Sequence, residues 1–146
     1  MELKFQVYGK IAKPIHEVFN AVYEPQQLSG YFTTGGASGP LVEGTTVTWD
    51  FADFPGAFPV HVRQVEPNRL IVLEWKAGDG DYLTQVRLEF EPIDANATLV
   101  RISESGWHET PEGLKNSYGN CMGWTQMLCC MKVYVEHGIN LREFFF

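Results

Sequence analysis

Cysteine, basic residues and long apolar runs are all scarce in this sequence, and each scarcity excludes a class of protein. The three cysteines, Cys121, Cys129 and Cys130, are odd in number and crowded together, which argues against a disulfide framework or a zinc site. With 11 Lys and Arg against 18 Asp and Glu, the net charge of -7 opposes binding to nucleic acid or to an anionic membrane. No apolar run approaches the roughly 20 residues that span a bilayer.

The motifs that mark cofactor and leader segments are also missing. Residues 1–6 alternate in polarity, unlike the continuous apolar stretch of a secretory signal, so we expect a cytoplasmic protein. The glycine-rich residues 35–39 lack the lysine of a phosphate-binding loop and are expected to form a flexible loop at a cavity rim. Four widely spaced histidines show no metal-ligand spacing. The sequence therefore predicts neither a metal nor a cofactor.

What the sequence has is alternation, which predicts an antiparallel sheet of about seven strands. The first strand covers residues 3–11, and short helices follow from Pro14 and Pro25. The later strands are predicted near residues 47–51, 60–65, 70–75, 84–90 and 98–102. Their predicted turns lie at residues 55–56, 66–69, 78–81 and 94–96, with further glycines at 35, 36 and 39.

One long C-terminal helix is predicted to cover the apolar face of this sheet. Residues 117–137 place one wide apolar face on a helical wheel, and Gly138 occupies a helix C-cap position. That face consists of Trp124, Met127, Leu128, Met131, Tyr134 and Val135. The expected fold is α+β, a helix packed over a curved antiparallel sheet, in one domain over residues 1–146.

Several segments, in order and spacing, resemble a known family. They are residues 11–14 with 18–21, residues 65–71 with Glu74 and Trp75, residues 98–107, and Gly123-Trp124 with residues 134–138. The chain is similar to the helix-grip domains of the START-like superfamily, also called the SRPBCC or Bet v-like fold. The branch that it resembles is named for the activator of the heat-shock-protein-90 ATPase. Tyr31-Phe32 stands where that family more often has tryptophan.

The resemblance implies an apolar cavity between the sheet and the long helix. Members of the superfamily bind lipids, polyketides, flavonoid-like or other apolar molecules, and a minority catalyse reactions on them. The residues expected to line the cavity are Trp49, Phe51, Trp75, Val86, Leu88, Glu104, Trp107, His108, Trp124 and Leu128. Glu104 is the one ionisable residue in phase with an inward-facing row, and it is expected at the cavity mouth, with His108 near the entrance.

Three functions stay open at this point. The first is a binding protein for a small hydrophobic or aromatic molecule, monomeric or homodimeric, with no catalytic residue. The second is a protein-interaction module, a chaperone partner or a homodimer subunit, that uses the outer surface and the tail Phe144–Phe146, an exposed apolar patch unless it folds back. The third is a cyclase- or hydrolase-like enzyme, which requires a polar pair such as an inward His61 within about 3.2 Å of a carboxylate.

Overall fold

A seven-stranded antiparallel sheet forms the frame of the computed structural model, which describes residues 1–145. The strand order across the sheet is β1-β7-β6-β5-β4-β3-β2. In chain order the elements are β1 (Lys4–Ile11), α1 (Ile15–Tyr23), α2 (Pro25–Leu28), β2 (Gly36–Ala37), β3 (Thr46–Phe51), β4 (Phe54–Glu66), β5 (Leu70–Lys76), β6 (Leu83–Asp94), β7 (Ala97–Ser105) and α3 (Pro111–His137). The predicted α+β helix-grip architecture is confirmed.

Strand parity decides which side chains face the helix. Along β7 every second residue is buried, and this row runs through Thr98, Val100 and Ile102 to Glu104. Register shifts interrupt the ladders β3–β4, β4–β5 and β6–β7. Such bulges bend the bulged strand and increase its twist, so the sheet curves around its apolar face.

Helix α3 begins at Pro111, earlier than the predicted start near residue 117. The Thr110 side chain accepts a hydrogen bond from the Gly113 amide at 3.0 Å, and proline takes the first helical position. The first turns are mostly polar, so the apolar periodicity begins only later. The end is as predicted, because Gly138 adopts φ 70 and closes the helix.

Two predictions of local structure are wrong. The chain reverses at residues 52–53, and Pro55 and Gly56 belong to β4 instead of forming the turn. Gly56 has φ 129, and its amide donates to Asp50 Oδ1 at 2.9 Å. The glycine at this position therefore marks a distorted strand and not a turn. The predicted loop at residues 35–39 contains the edge strand β2, which pairs with β3.

The core lies between the sheet and α3, which contributes Trp124, Met127, Leu128 and Met131 to it. Cys130 is buried and Cys129 is exposed. Among the helices within residues 1–145, none combines the length and the apolar character needed to cross a membrane.

Candidate functional site

An open cleft of about 530 Å³ lies between the first half of α3 and the ends of β3, β4 and β5. We call it the α3 cleft. Its lining residues are Phe32, Phe51, Phe54, Trp75, Gly119, Asn120, Met122, Gly123, Trp124, Gln126 and Arg142. A shallower extension of about 290 Å³ shares Phe51, Phe54, Trp75 and Asn120 with it. The two form one continuous apolar groove, open to solvent.

One wall of the α3 cleft is aromatic, and its rings support each other. The Trp124 ring lies 5.4 Å from the rings of both Phe32 and Trp75, and Phe51 packs edge-on to Phe32 at 5.0 Å. Phe58 continues the wall 5.7 Å from Trp75. Ring pairs at these separations attract each other beyond their buried area, so the wall is held in place before any ligand arrives.

Helix α3 exposes backbone to the cleft at two glycines one turn apart, beside the side chains of Asn120, Met122 and Gln126. Gly119 and Gly123 lie inside α3, and within residues 1–145 a Cβ atom added to either would meet no atom of another element within 4 Å. Glycine inside a helix costs about 1 kcal/mol relative to alanine. In the part of the chain that the structure describes, no contact with another element requires these two glycines.

Beneath the aromatic wall, the carboxylate of Glu104 gathers four donors. Trp75 Nε1 and Thr84 Oγ1 donate to Oε2 at 2.9 and 2.7 Å. Trp124 Nε1 donates to Oε1 at 2.8 Å, and Asn120 Nδ2 lies 3.2 and 3.0 Å from the two oxygens. The side chain is buried, so it lies below the cleft floor and not at the cavity mouth where we expected it.

Burial raises the pKa of Glu104 above its ordinary value of 4.5, although the hydrogen bonds from Trp75, Thr84, Trp124 and Asn120 act in the opposite direction. No ion pair with Glu104 occurs among residues 1–145; every donor is neutral. The carboxylate therefore acts as a structural acceptor that fixes two indoles and one amide of the cleft.

The segment after α3 crosses one end of the cleft. The Arg142 guanidinium donates two hydrogen bonds to Asp53 at 2.9 and 2.8 Å. It also lies over the rings of Phe51 and Phe32, 4.9 and 5.9 Å from their centroids. This bidentate pair ties the C-terminal segment to the β3–β4 turn.

The structure brings four of the ten predicted cavity residues together at the α3 cleft. Phe51, Trp75 and Trp124 line it, and Glu104 lies beneath them. Four others are buried in the packed core without lining the cleft, namely Trp49, Val86, Leu88 and Leu128. Trp49 Nε1 is the one buried side-chain polar atom within residues 1–145 that lacks a hydrogen-bond partner.

The remaining two predicted residues lie elsewhere. Trp107 packs on Phe5, with ring centroids 5.7 Å apart, and donates to Asn116 Oδ1 at 2.8 Å. His108 is exposed and stacks on Tyr82 at 3.7 Å. Neither lines the cleft or its extension.

The polar pair that an enzyme would need is not formed at His61. Its Nδ1 lies 3.0 Å from Thr46 Oγ1, and no carboxylate is hydrogen-bonded to this ring among residues 1–145. In the same part of the chain no group of three or more His, Cys, Asp or Glu side chains could hold a metal ion.

The sequence analysis did not identify Gly119, Asn120 or Gly123 as residues that line the cleft. A signal was present, since glycines four residues apart lie on one face of a helix and are costly there. No sequence signal pointed to Arg142, because its position depends on how the chain turns after Gly138.

The sequence of residues 12–136 matches the model of the family described as activator of Hsp90 ATPase homolog 1-like protein. The chain belongs to this family. Among proteins with curated functions, none matches this family member.

Solved structures share the fold of this chain. The protein SSP2350 from Staphylococcus saprophyticus is 27% identical, with a TM-score of 0.78 over 97% of this chain and 96% of that one. DynU16, from the dynemicin biosynthetic locus, is 25% identical with a TM-score of 0.80, and the match covers 95% of this chain and 49% of DynU16. The Aha1 dimer from Colwellia psychrerythraea shares the fold at 22% identity, with a TM-score of 0.76 and coverage of 92% and 97%.

Proposed function

We propose that this family member binds a small, flat, apolar or aromatic molecule in the α3 cleft. The observation that carries the proposal is the pair Gly119 and Gly123, which line the same cleft as the aromatic wall and whose Cβ positions meet no atom of another element of residues 1–145 within 4 Å. A flat ring bound in the cleft would contact the helix backbone at these glycines and the side chains of the aromatic wall.

Energetics support this use of the glycines. Each costs the helix about 1 kcal/mol relative to alanine. Since no atom of another element among the described residues 1–145 lies within 4 Å of either Cβ position, packing of these residues does not offset that cost. The volume of about 530 Å³ falls within the range of small-molecule sites, and an apolar lining with few polar groups is typical of them.

The test replaces each glycine by alanine. We expect Gly119→Ala and Gly123→Ala to stabilise the protein by up to about 1 kcal/mol each, because alanine is the better helix former. The methyl group of the new alanine also narrows the α3 cleft, so the affinity of the protein for 2-naphthol and for flavone should fall about tenfold. Denaturant titration gives the stability, and calorimetric titration gives the affinity.

Lys115→Ala provides the control, because this exposed residue lies on the same helix and does not line the cleft. It should leave affinity unchanged. Alanine variants that are more stable and bind both probes as tightly as the wild type would refute the proposal, and so would a wild-type protein that binds neither.

A second candidate is an interaction module that forms a homodimer through its C-terminal tail. Phe144 is 98% exposed and Phe145 is 56% exposed, and such apolar residues at a surface favour association. Phe146 lies outside the described residues. The Colwellia psychrerythraea relative is a dimer, which makes the molar mass of this chain the quantity to measure.

A further inference from the structure

Asn120 is the polar side chain that the cleft and the buried carboxylate share. Its amide nitrogen lies within hydrogen-bond distance of both Glu104 oxygens, at 3.2 and 3.0 Å. Every other group on that carboxylate donates to it, namely the indole N–H of Trp75, the indole N–H of Trp124 and the Thr84 hydroxyl. A carboxylate accepts only, so the amide must turn its NH2 group toward Glu104.

The amide oxygen is therefore left over. Within residues 1–145, Asn120 Oδ1 accepts no hydrogen bond from another side chain. Among the same residues, Trp49 Nε1 is the one buried side-chain polar atom that has no hydrogen-bond partner. Asn120 Oδ1 also has no partner there but is not a buried atom of this kind, so it is accessible. Asn120 lines both the α3 cleft and its extension.

We propose that Asn120 Oδ1, oriented by Glu104, selects ligands that carry a hydrogen-bond donor, such as a phenolic hydroxyl or a ring N–H. This inference rests on the proposed binding function and adds the chemical class of the ligand. An acceptor oxygen beside a buried carboxylate favours a hydrogen-bond donor and disfavours an anionic group at this position of the cleft. Glu104 is the positioning residue, and Asn120 makes the contact.

The experiment compares 2-naphthol with 2-methoxynaphthalene, which has the same ring system but no donor. Binding of each is measured by calorimetric titration against the wild type. We expect the wild type to prefer 2-naphthol by about three- to tenfold, the effect of one net hydrogen bond. In Asn120→Ala this preference should disappear, with 2-naphthol reduced to the affinity of the methyl ether and the ether itself little changed.

Asn120→Ala also removes a donor from Glu104, so a second variant guards against misfolding. In Asn120→Ser a small polar side chain replaces the amide and is too short to present an acceptor to the ring, so we expect the preference to be lost here as well. Glu104→Gln tests positioning, because a glutamine amide presented to Asn120 allows the Asn120 amide to flip; the preference should again weaken while the ether still binds.

The outcomes separate the two proposals. If the wild type binds both probes equally, or if the preference survives in the folded Asn120 variants, then the role of Asn120 is wrong while ring binding in the cleft stands. If the wild type binds neither probe, the proposed function itself fails.

Discussion

At the scale of single residues, Glu104 joins β5, β6 and α3 through one carboxylate. Its donors are Trp75, Thr84, Asn120 and Trp124, and three of these residues border the cleft or its extension. Hydrogen bonds to a charged acceptor are stronger than neutral ones, and removal of the acceptor leaves buried donors unpaired. The geometry of the aromatic wall therefore depends on this one side chain.

Glu104→Gln should destabilise the protein at pH 7 by about 1–3 kcal/mol, because the amide NH2 group turns toward at least one of the four donors. The size of that difference depends on pH. Since burial raises the pKa of Glu104 in the folded protein, the folded state binds a proton more readily than the unfolded state. The corresponding stability is present below the ordinary value of 4.5 and is lost as pH rises through the raised pKa.

The advantage of the wild type over Glu104→Gln should consequently be larger near pH 4.5 than at pH 7. Urea titrations of both proteins at a series of pH values measure it. A difference that shrinks on acidification would mean that the four donors outweigh burial, and that the carboxylate is held ionised.

Sequence reasoning went part of the way to this residue. Strand parity placed Glu104 in the buried row that contains Val100 and Ile102, and the structure agrees. It could not give the partners, because these lie 29, 20, 16 and 20 positions away on three other stretches of chain. Without knowledge of these partners, the sequence alone predicts Glu104, an ionisable residue at a strand end, at the cavity mouth.

At the scale of elements, α3 has two different halves. The later half carries the buried residues Met127, Leu128 and Met131, and apolar periodicity predicted it. The earlier half lines the cleft with Gly119, Asn120 and Gly123 beside the apolar side chains of Met122 and Trp124. Periodicity detects only the residues that pack on the core, so it gave a late helix start and did not identify Gly119 and Asn120 as site residues.

The C-terminal segment is the second element with a separable role. Truncation after Glu143 removes the exposed phenylalanines and retains Arg142 and its pair with Asp53. If the cleft is the functional surface, the truncated protein should keep its affinity for 2-naphthol. Its molar mass by light scattering should equal that of the wild type if the tail does not mediate assembly.

A wild-type dimer that becomes a monomer on this truncation would instead support the interaction candidate. The matched control is Ile93→Ala, which removes an exposed apolar side chain from β6, away from the tail. Loss of the dimer in both proteins would indicate nonspecific association.

At the scale of the whole molecule, the sheet and helix were predictable and the cleft was not. Alternation, turn residues and the apolar helix face are local signals, and they predicted the order of elements. The aromatic wall instead joins Phe32 from the loop after α2, Phe51 from β3, Trp75 from β5 and Trp124 from α3. Which inward aromatics fill the core and which line a surface cleft depends on sheet curvature, which no local pattern encodes.

The most direct test of the binding site uses the four tryptophans of this chain as reporters. Trp75 and Trp124 line the α3 cleft and donate to Glu104, Trp49 is buried without an acceptor, and Trp107 donates to Asn116. Each indole N–H therefore has its own environment and can be assigned by single Trp→Phe substitutions in a proton–nitrogen correlation spectrum.

The measurement is a titration of the labelled protein with 2-naphthol, followed through the four indole signals. We predict that the signals of Trp75 and Trp124 move together along one saturable curve, while the signal of Trp107 stays in place. Saturable movement of Trp107 with Trp75 and Trp124 unchanged, or no movement of any signal at saturating probe, would contradict a ligand site in the α3 cleft.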